Sequence, residues 1–309
     1  MQRFALQFVL VLACASPVFA QVPSGAVAGT VTDQNGGVLA NATITVTNKA
    51  TGLSRVVQSG RDGTFSVPSL PAGRYDVLVV TQGFQPAGSV ADVVTGSTAT
   101  VRVSLEVGPQ SETVMVTGTS TAVDLSSNRV QGVVARTQIE NLPLNGRSFM
   151  NLAALQPGVT VNLGNPAQFN AQFNVSVLGG PASRTAITVD GGNIRNPIEG
   201  GPGQNFSQEV VQEFQISTAN FDLSTGIAAF GAINVVTRAG TNNFSGAAYF
   251  YHRDESLSAY PGLVRSSLTD NPEFSRQQTG FVLGGPLKKD KAHFFANYER
   301  TDQQGVRTR

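Results

Sequence analysis

The chain of 309 residues carries a formal net charge of +1 with only 13% charged residues, so it offers no basic stripe for nucleic acid. Its 33 glycines exceed the usual share of about 7% and accompany abundant Thr, Ser, Asn and Val, the composition of β-sheet with many tight turns. Beyond the N-terminus there is no run of about 18 apolar residues, which excludes a transmembrane helix but not a β-barrel, whose strands escape that test.

Residues 1–20 read as a secretory signal peptide. Arg3 supplies the positive start, Phe4 to Ala15 is apolar except for Gln7, and Val18-Phe19-Ala20 ends on small residues before a mature start near Gln21. Two rival readings are a retained anchor and a lipoprotein site at Val11-Leu12-Ala13-Cys14. Cys14 is the only cysteine, so cleavage after Ala20 leaves no disulfide framework and no thiolate metal site.

Residues 22–107 form a first unit of short β-branched runs: Ala26–Thr32, Thr43–Asn48, Ser54–Gln58, Thr64–Val67, Tyr75–Thr81 and Thr98–Glu106. Asn35-Gly36-Gly37, Arg61-Asp62-Gly63 and Pro71-Ala72-Gly73 supply the turns, and this spacing predicts an all-β sandwich with one small core. The blocks Gly29-Thr30-Val31-Thr32-Asp33, Gly37-Val38-Leu39-Ala40-Asn41-Ala42, Asp62-Gly63-Thr64-Phe65, Leu70-Pro71-Ala72-Gly73-Arg74-Tyr75 and Gly83-Phe84 resemble the carboxypeptidase regulatory-like domain, a transthyretin-like β-sandwich. The resemblance implies an accessory domain without catalytic residues. The two histidines, His252 and His293, stand far along the chain in no His-Glu-x-x-His pattern, so a zinc hydrolase has no ligand set to build from.

Residues 108–121 form a linker. Gly108-Pro109 breaks the last strand, and Glu112-Thr113-Val114-Met115-Val116-Thr117-Gly118 follows. This stretch is similar to the TonB box of TonB-dependent receptors, which meets an energy-transducing partner in the periplasm. An extended β-branched segment suits strand addition to a partner's sheet edge, where about five main-chain hydrogen bonds at roughly 1 kcal/mol each, less the ordering cost, give a reversible contact. The other reading of the same residues is a plain linker strand packed on the sandwich.

Residues 122–240 carry several blocks in series. Val130 to Glu140 leads into Ile139-Glu140-Asn141-Leu142-Pro143-Leu144-Asn145-Gly146-Arg147-Ser148, and Leu152 to Val159 is an amphipathic turn or two stopped by Pro157 and Gly158. Val175–Leu178 and Ala186-Ile187-Thr188-Val189-Asp190-Gly191 read as strand-like. Ser207 is placed to cap a helix through Gln208–Phe214, with Glu209 in its first turn and Val210, Val211 and Phe214 on one side. The unit closes on Gly231-Ala232-Ile233-Asn234-Val235-Val236-Thr237-Arg238-Ala239-Gly240. The order of these blocks resembles the α+β plug domain of TonB-dependent receptors, and the sandwich, plug and Leu-Pro-Leu-Asn-Gly-Arg together resemble the Oar-like members. The glycine-rich stretch 191–203 stands where plug loops often face substrate; its other and preferred reading is a flexible connection, and it holds no Gly-x-x-x-x-Gly-Lys for nucleotide.

Residues 244–309 alternate as outer-membrane strands do. Phe244–His252 is the first strand, with Tyr249, Phe250 and Tyr251 as candidate interfacial aromatics, then a polar loop 253–275, a strand Arg276–Gly284, a short turn Gly285–Lys291 and a third strand Ala292–Thr301. In that last strand Phe294, Ala296 and Tyr298 alternate with Phe295, Asn297 and Glu299, a period of two that gives one lipid face and one wet face. Three strands leave open edges in hydrocarbon, at several kcal/mol per unsatisfied backbone group, so the chain is expected to be the front of a longer barrel.

The expected fold is therefore mainly β: sandwich, plug and the first strands of an incomplete transmembrane barrel. The resemblance implies energy-coupled uptake of an unidentified ligand across the outer membrane, with a TonB-type protein as partner, lipid around the barrel and no cofactor. The competing readings are a secreted or periplasmic β-sandwich binding or adhesion module and an enzyme. The barrel strands argue against the first, because a free adhesin has no use for them and exposing their faces invites aggregation. The missing ligand set and nucleophile–base pair argue against the second.

Overall fold

The computed structural model describes residues 24–108, 114–119, 130–142, 144–163, 173–196, 200–219, 229–258 and 273–305. The signal segment 1–20, Glu112 and Thr113 therefore lie outside the described residues.

The first unit is a two-sheet sandwich. Its strands are Ser24–Asp33 (β1), Thr43–Asn48 (β2), Ser54–Gln58 (β3), Thr64–Pro71 (β4), Gly73–Val80 (β5), Ala87–Val93 (β6) and Thr98–Leu105 (β7). One sheet has the order β4-β1-β7, and the other runs β3-β2-β5-β6 before ending on Val114–Thr119 (β8). Alternation sets the core: Ile44 and Val46 of β2, Tyr75, Val77 and Val79 of β5, and Ala99, Val101, Val103 and Leu105 of β7 are buried. Each fully buried Val, Leu or Ile contributes about 1.5–3 kcal/mol. Tyr75 is buried whole and donates its hydroxyl to the Pro71 carbonyl at 2.9 Å, which meets its polar requirement. Strand β6 is an addition to the sequence reading. Its run Ala-Gly-Ser-Val-Ala-Asp-Val is buried on both sides over most of its length, so it shows no alternation to read.

The middle unit contains Val130–Ala135 (β9), Arg136–Asn141 (α1), 3-10 turns at Asn145–Arg147 and Phe149–Leu155, and a hairpin of Val159–Leu163 (β10) with Phe173–Val177 (β11). Thr185–Val189 (β12), Gly192–Asn193 (β13), Val211–Ala219 (β14) and Gly231–Thr237 (β15) follow. They form one sheet in the order β13-β12-β15-β14-β9, with β12 and β15 parallel. Ile139, Phe149, Met150, Leu152, Ile187, Phe214, Ile216 and Ile233 make its core.

One element differs from the sequence reading. Gln208–Phe214 is not a helix: Ser207 does cap a turn, its Oγ accepting the Glu209 N–H at 3.3 Å, but that turn ends at Val210 and β14 begins. The β-branched pair Val210-Val211 favours the strand. A register shift between Val211 and Glu213 keeps Val211 with Phe214 and Ile216 in the core, which mimicked a helical stripe. The α content of the unit is thus small, α1 spanning six residues.

Ser245–Asp254 (β16), Phe274–Lys288 (β17) and Ala292–Gly305 (β18) form an antiparallel sheet in that order. At 15 and 14 residues, β17 and β18 exceed the 9–11 or so that cross a bilayer. β17 runs past Gly284 to Lys288, with a bulge beside Pro286 that spares the missing donor, so the short turn shrinks to 289–291. Gln278, Gly280, Val282 and Gly284 face the middle unit, whereas Phe281 and Leu283 are exposed. Phe281 stacks on Tyr298 across the outer face at 6.0 Å between centroids. The aromatic triplet divides by the same period: Phe250 is 62% exposed, while Tyr249 and Tyr251 turn inward under Arg147. Only Phe250 of the three therefore presents an outward aromatic.

Candidate functional site

The inner wall of the barrel strands is joined to the middle unit through the Leu-Pro-Leu-Asn-Gly-Arg motif. Gly146 takes φ +79° and Arg147 φ 55°, consecutive left-handed residues that turn the chain so that the Arg147 side chain reaches the wall. The Gly146 carbonyl accepts from Nε2 of Gln278 on β17 at 3.3 Å. The Arg147 guanidinium lies 4.4 Å from the Tyr251 ring centre and 5.1 Å from that of Tyr249, in cation–π range.

Glu209 sits at the centre of this contact. One carboxylate oxygen accepts from Arg147 at 2.5 Å and the other from Arg136 at 2.9 Å. Arg136 also donates to the Val211 carbonyl at 2.9 Å, and Arg238 to the Glu209 carbonyl at 3.3 Å. Burial opposes ionisation of Glu209, but the hydrogen bonds and charges of Arg136 and Arg147 outweigh it and hold the carboxyl below its ordinary value. Two residues earlier, Ser207 Oγ lies 2.7 Å from Glu299 Oε2 and 3.1 Å from the Tyr249 hydroxyl, which itself donates to Glu299 at 2.8 Å. Gly280 makes room for this: a Cβ there would stand 2.5 Å from Tyr249 Cζ. Ser207 to Val210 is thus a short turn whose side chains grip the wall and whose C-terminal end runs straight into β14.

At the other end of the wall the sandwich makes contact. The Asn242 N–H donates to the Ala50 carbonyl at 2.8 Å, and Asn242 exchanges two hydrogen bonds with Asp290, at 2.7 and 2.8 Å. Strand β14 meets the sandwich through Glu213 and Gln215, both of which bond to Thr95 in the turn after β6.

The coupling candidate lies apart from the wall contact. Val114, Met115, Val116, Thr117 and Gly118 all fall in β8, which runs parallel to β6 with Ala87 opposite Val114, Gly88 opposite Met115 and Val90 opposite Thr119. The glycine-rich connection is tied down in part, with Asn196 N–H to Gly201 O at 2.8 Å and Gly203 N–H to Ile194 O at 2.6 Å; residues 197–199 lie outside the described residues. His252 and Glu255 have a His-x-x-Glu spacing, but His252 pairs with Asp254 at 3.1 Å, and no metal-holding group of three such side chains occurs among the described residues. The sequence reading noted Arg147, Ser207 and Glu209 without assigning them to the wall, and it passed over Arg136, Thr95 and Glu213.

Residues 26–106 match the family described as carboxypeptidase regulatory-like domain, and residues 236–309 match the outer membrane beta barrel domain. The chain is 28% identical over 298 residues to the TonB-dependent transporter Oar of Myxococcus xanthus, a match covering 92% of this chain and 27% of that protein. The chain is a homologue of TonB-dependent outer-membrane receptors. A probable TonB-dependent siderophore receptor, PirA of Acinetobacter baumannii, is 26% identical over 190 residues, or 56% of this chain and 23% of PirA. The crystal structure of PirA aligns with a TM-score of 0.42 at 23% identity, covering 55% of this chain and 24% of that one. The chain spans about a quarter of the length of these curated relatives. Its barrel strands and its homology assign it to the outer membrane.

Proposed function

We propose that the chain is the front portion of an energy-coupled outer-membrane importer. On this reading 1–20 is the signal peptide, 22–107 the sandwich, 108–121 the coupling linker, 122–240 the plug and 244–309 the start of the barrel. A ligand binds from outside, segment 112–118 pairs with a TonB-type protein, and the pull rearranges the plug. The work comes from the partner, so this chain needs no nucleotide site.

The observation that carries the reading is the grip of the middle unit on the inward face of β16–β18 through Arg147, Ser207, Tyr249 and Glu299. A unit that bonds to the inward face of barrel strands supports the plug reading. The short turn 289–291 and the sandwich contacts lie at one end of the strands, and the longer connection between β16 and β17 lies at the other. Barrels of this class keep short turns in the periplasm, which supports a periplasmic side for the sandwich and β8 on this reading.

The test is capture of the full-length receptor, in detergent-solubilised outer membrane, by the purified periplasmic domain of a TonB-type protein. Deleting residues 112–118 is expected to abolish capture while leaving the receptor assembled in the membrane. Undiminished capture of the deletion would remove the coupling assignment.

A further inference from the structure

We propose that the sandwich is the resting-state holder of the coupling strand, and that β8 must be stripped from β6 before a pull reaches the plug. This rests on the coupling reading of segment 112–118.

Three observations converge. First, β8 completes the sandwich sheet rather than standing free, in register with β6 at Ala87/Val114, Gly88/Met115 and Val90/Thr119. A strand held by main-chain hydrogen bonds carries load in the sheet that holds it. Force applied at 114–119 therefore enters the sandwich while the pairing lasts, and passes toward β9 at Val130 only after the pairing breaks. The hold is short, and it is irregular between Gly88 and Val90, so it suits release rather than permanent closure.

Second, the holder is anchored. Thr95 lies two residues beyond the end of β6, and both its main-chain groups are taken by the plug: its N–H by Glu213 at 3.2 Å and its carbonyl by Gln215 at 3.1 Å. All three residues are buried. At the barrel mouth the Ala50 carbonyl is taken by Asn242. A sandwich fixed at two points resists being dragged along with β8, which is what stripping requires.

Third, the anchor and the wall contact lie on one element. The turn that grips Tyr249 and Glu299 with Ser207 runs into β14, whose Glu213 and Gln215 hold Thr95. A shift of β14 away from the wall displaces the turn at the end of β6 and loosens the hold on β8. This is a contiguous chain of packed and hydrogen-bonded groups with a releasable element at its end.

The experiment uses the full-length receptor with Gly88→Cys and Met115→Cys, placed in a supported bilayer and pulled through a tethered periplasmic domain of a TonB-type protein. A second pair, Val90→Cys with Thr119→Cys, leaves 112–118 unaltered and serves if the first misassembles. The thiols are expected to oxidise in most resting molecules. The reduced receptor is then expected to show a long plug extension under load, and the oxidised receptor to rupture from the partner with at least a tenfold drop in extension events. Adding Glu213→Ala and Gln215→Ala is expected to lower the fraction that oxidises several-fold. Thiols that stay free in the resting receptor, or equal extension in oxidised and reduced molecules, overturn the holder while leaving the coupling reading intact. Rupture events that persist after deletion of 112–118 overturn the coupling reading itself, and the holder with it.

Discussion

Thr95 of the sandwich donates its backbone N–H to both carboxylate oxygens of Glu213 on β14 of the middle unit, at 3.2 and 3.4 Å. Burial outweighs the lowering effect of the Thr95 hydrogen bonds and pushes this carboxyl up to about 7. Undocking returns Glu213 to water and toward the ordinary value of 4.5. The docked form thus holds the proton more tightly. Its contribution is full below about pH 4.5 and is lost as pH rises through about 7, a range worth on the order of 3 kcal/mol. Hydrogen exchange at the Thr95 segment, corrected for intrinsic rate, is expected to show several-fold less protection at pH 8 than at pH 6. Glu213→Gln, neutral throughout, is expected to flatten that profile. A wild-type profile as flat as the variant's would show that the carboxyl does not titrate in the contact.

Arg147 is the side chain on which the wall contact depends, since it both pairs with Glu209 and covers two tyrosines. Arg147→Ala leaves Glu209 with Arg136 as its remaining ion-pair partner and uncovers Tyr251, and is expected to cost about 2–3 kcal/mol. Arg147→Lys keeps the charge but loses the planar group that both stacks and donates, and is expected to cost roughly half as much. Calorimetry of the middle unit's transition checks the ranking. A lysine variant as unstable as the alanine variant would assign the whole effect to the stacking and donation of the planar group and none to charge.

Much of the fold was legible because strands with one buried face announce themselves. Ile44, Val46 and Asn48 alternate with exposed-side residues, and the outline of β2 follows from that alone. β6 was not legible because it is buried on both sides, and β14 because its irregular register gives Val211 and Phe214 a helical spacing while Glu213 and Gln215 enter a contact 118 and 120 residues distant in sequence. A polar residue whose partner is a backbone group so far away looks like surface. The wall contact was half legible. The Asn-Gly-Arg turn marks a left-handed backbone, but that its arginine meets Tyr249 and Tyr251 follows only from which face of β16 is inward. That the coupling candidate pairs with the sandwich was among the readings its extended residues allowed, and main-chain pairing leaves no mark in side-chain identity by which to choose.

Gly280 is expected to tolerate no side chain. Its Cβ would lie 2.5 Å from Tyr249 Cζ and 2.7 Å from the Tyr298 carbonyl, and the second neighbour is backbone of the paired strand. Gly280→Ala is expected to cost about 1–3 kcal/mol through displacement of the ring and strand. It should also break the Tyr249–Glu299 hydrogen bond, so the fraction of the full-length protein that resists unfolding in a urea titration should fall. Tyr249→Ala in the same chain should restore only part of the loss, because the clash with the carbonyl remains. Full restoration would show that the ring alone sets the limit.

The contact between the sandwich and the barrel turn is open to a double-mutant cycle at Gly52 and Asp290. Gly52 adopts φ +75°, and a Cβ there would stand 2.1 Å from Asp290 Oδ1, the atom that accepts from Asn242. Gly52→Ala therefore carries two costs: about 1 kcal/mol for the left-handed backbone, and a similar amount for pushing Asp290 off Asn242. Asp290→Ala removes the second obstacle but not the first. The expected coupling between the two substitutions is about 1 kcal/mol, with Gly52→Ala costing less in the Asp290→Ala background. Thermal unfolding of the four proteins gives the cycle. Strict additivity would mean that the 49–53 turn does not rest on the barrel turn in solution, and would leave the Thr95 contact to anchor the sandwich.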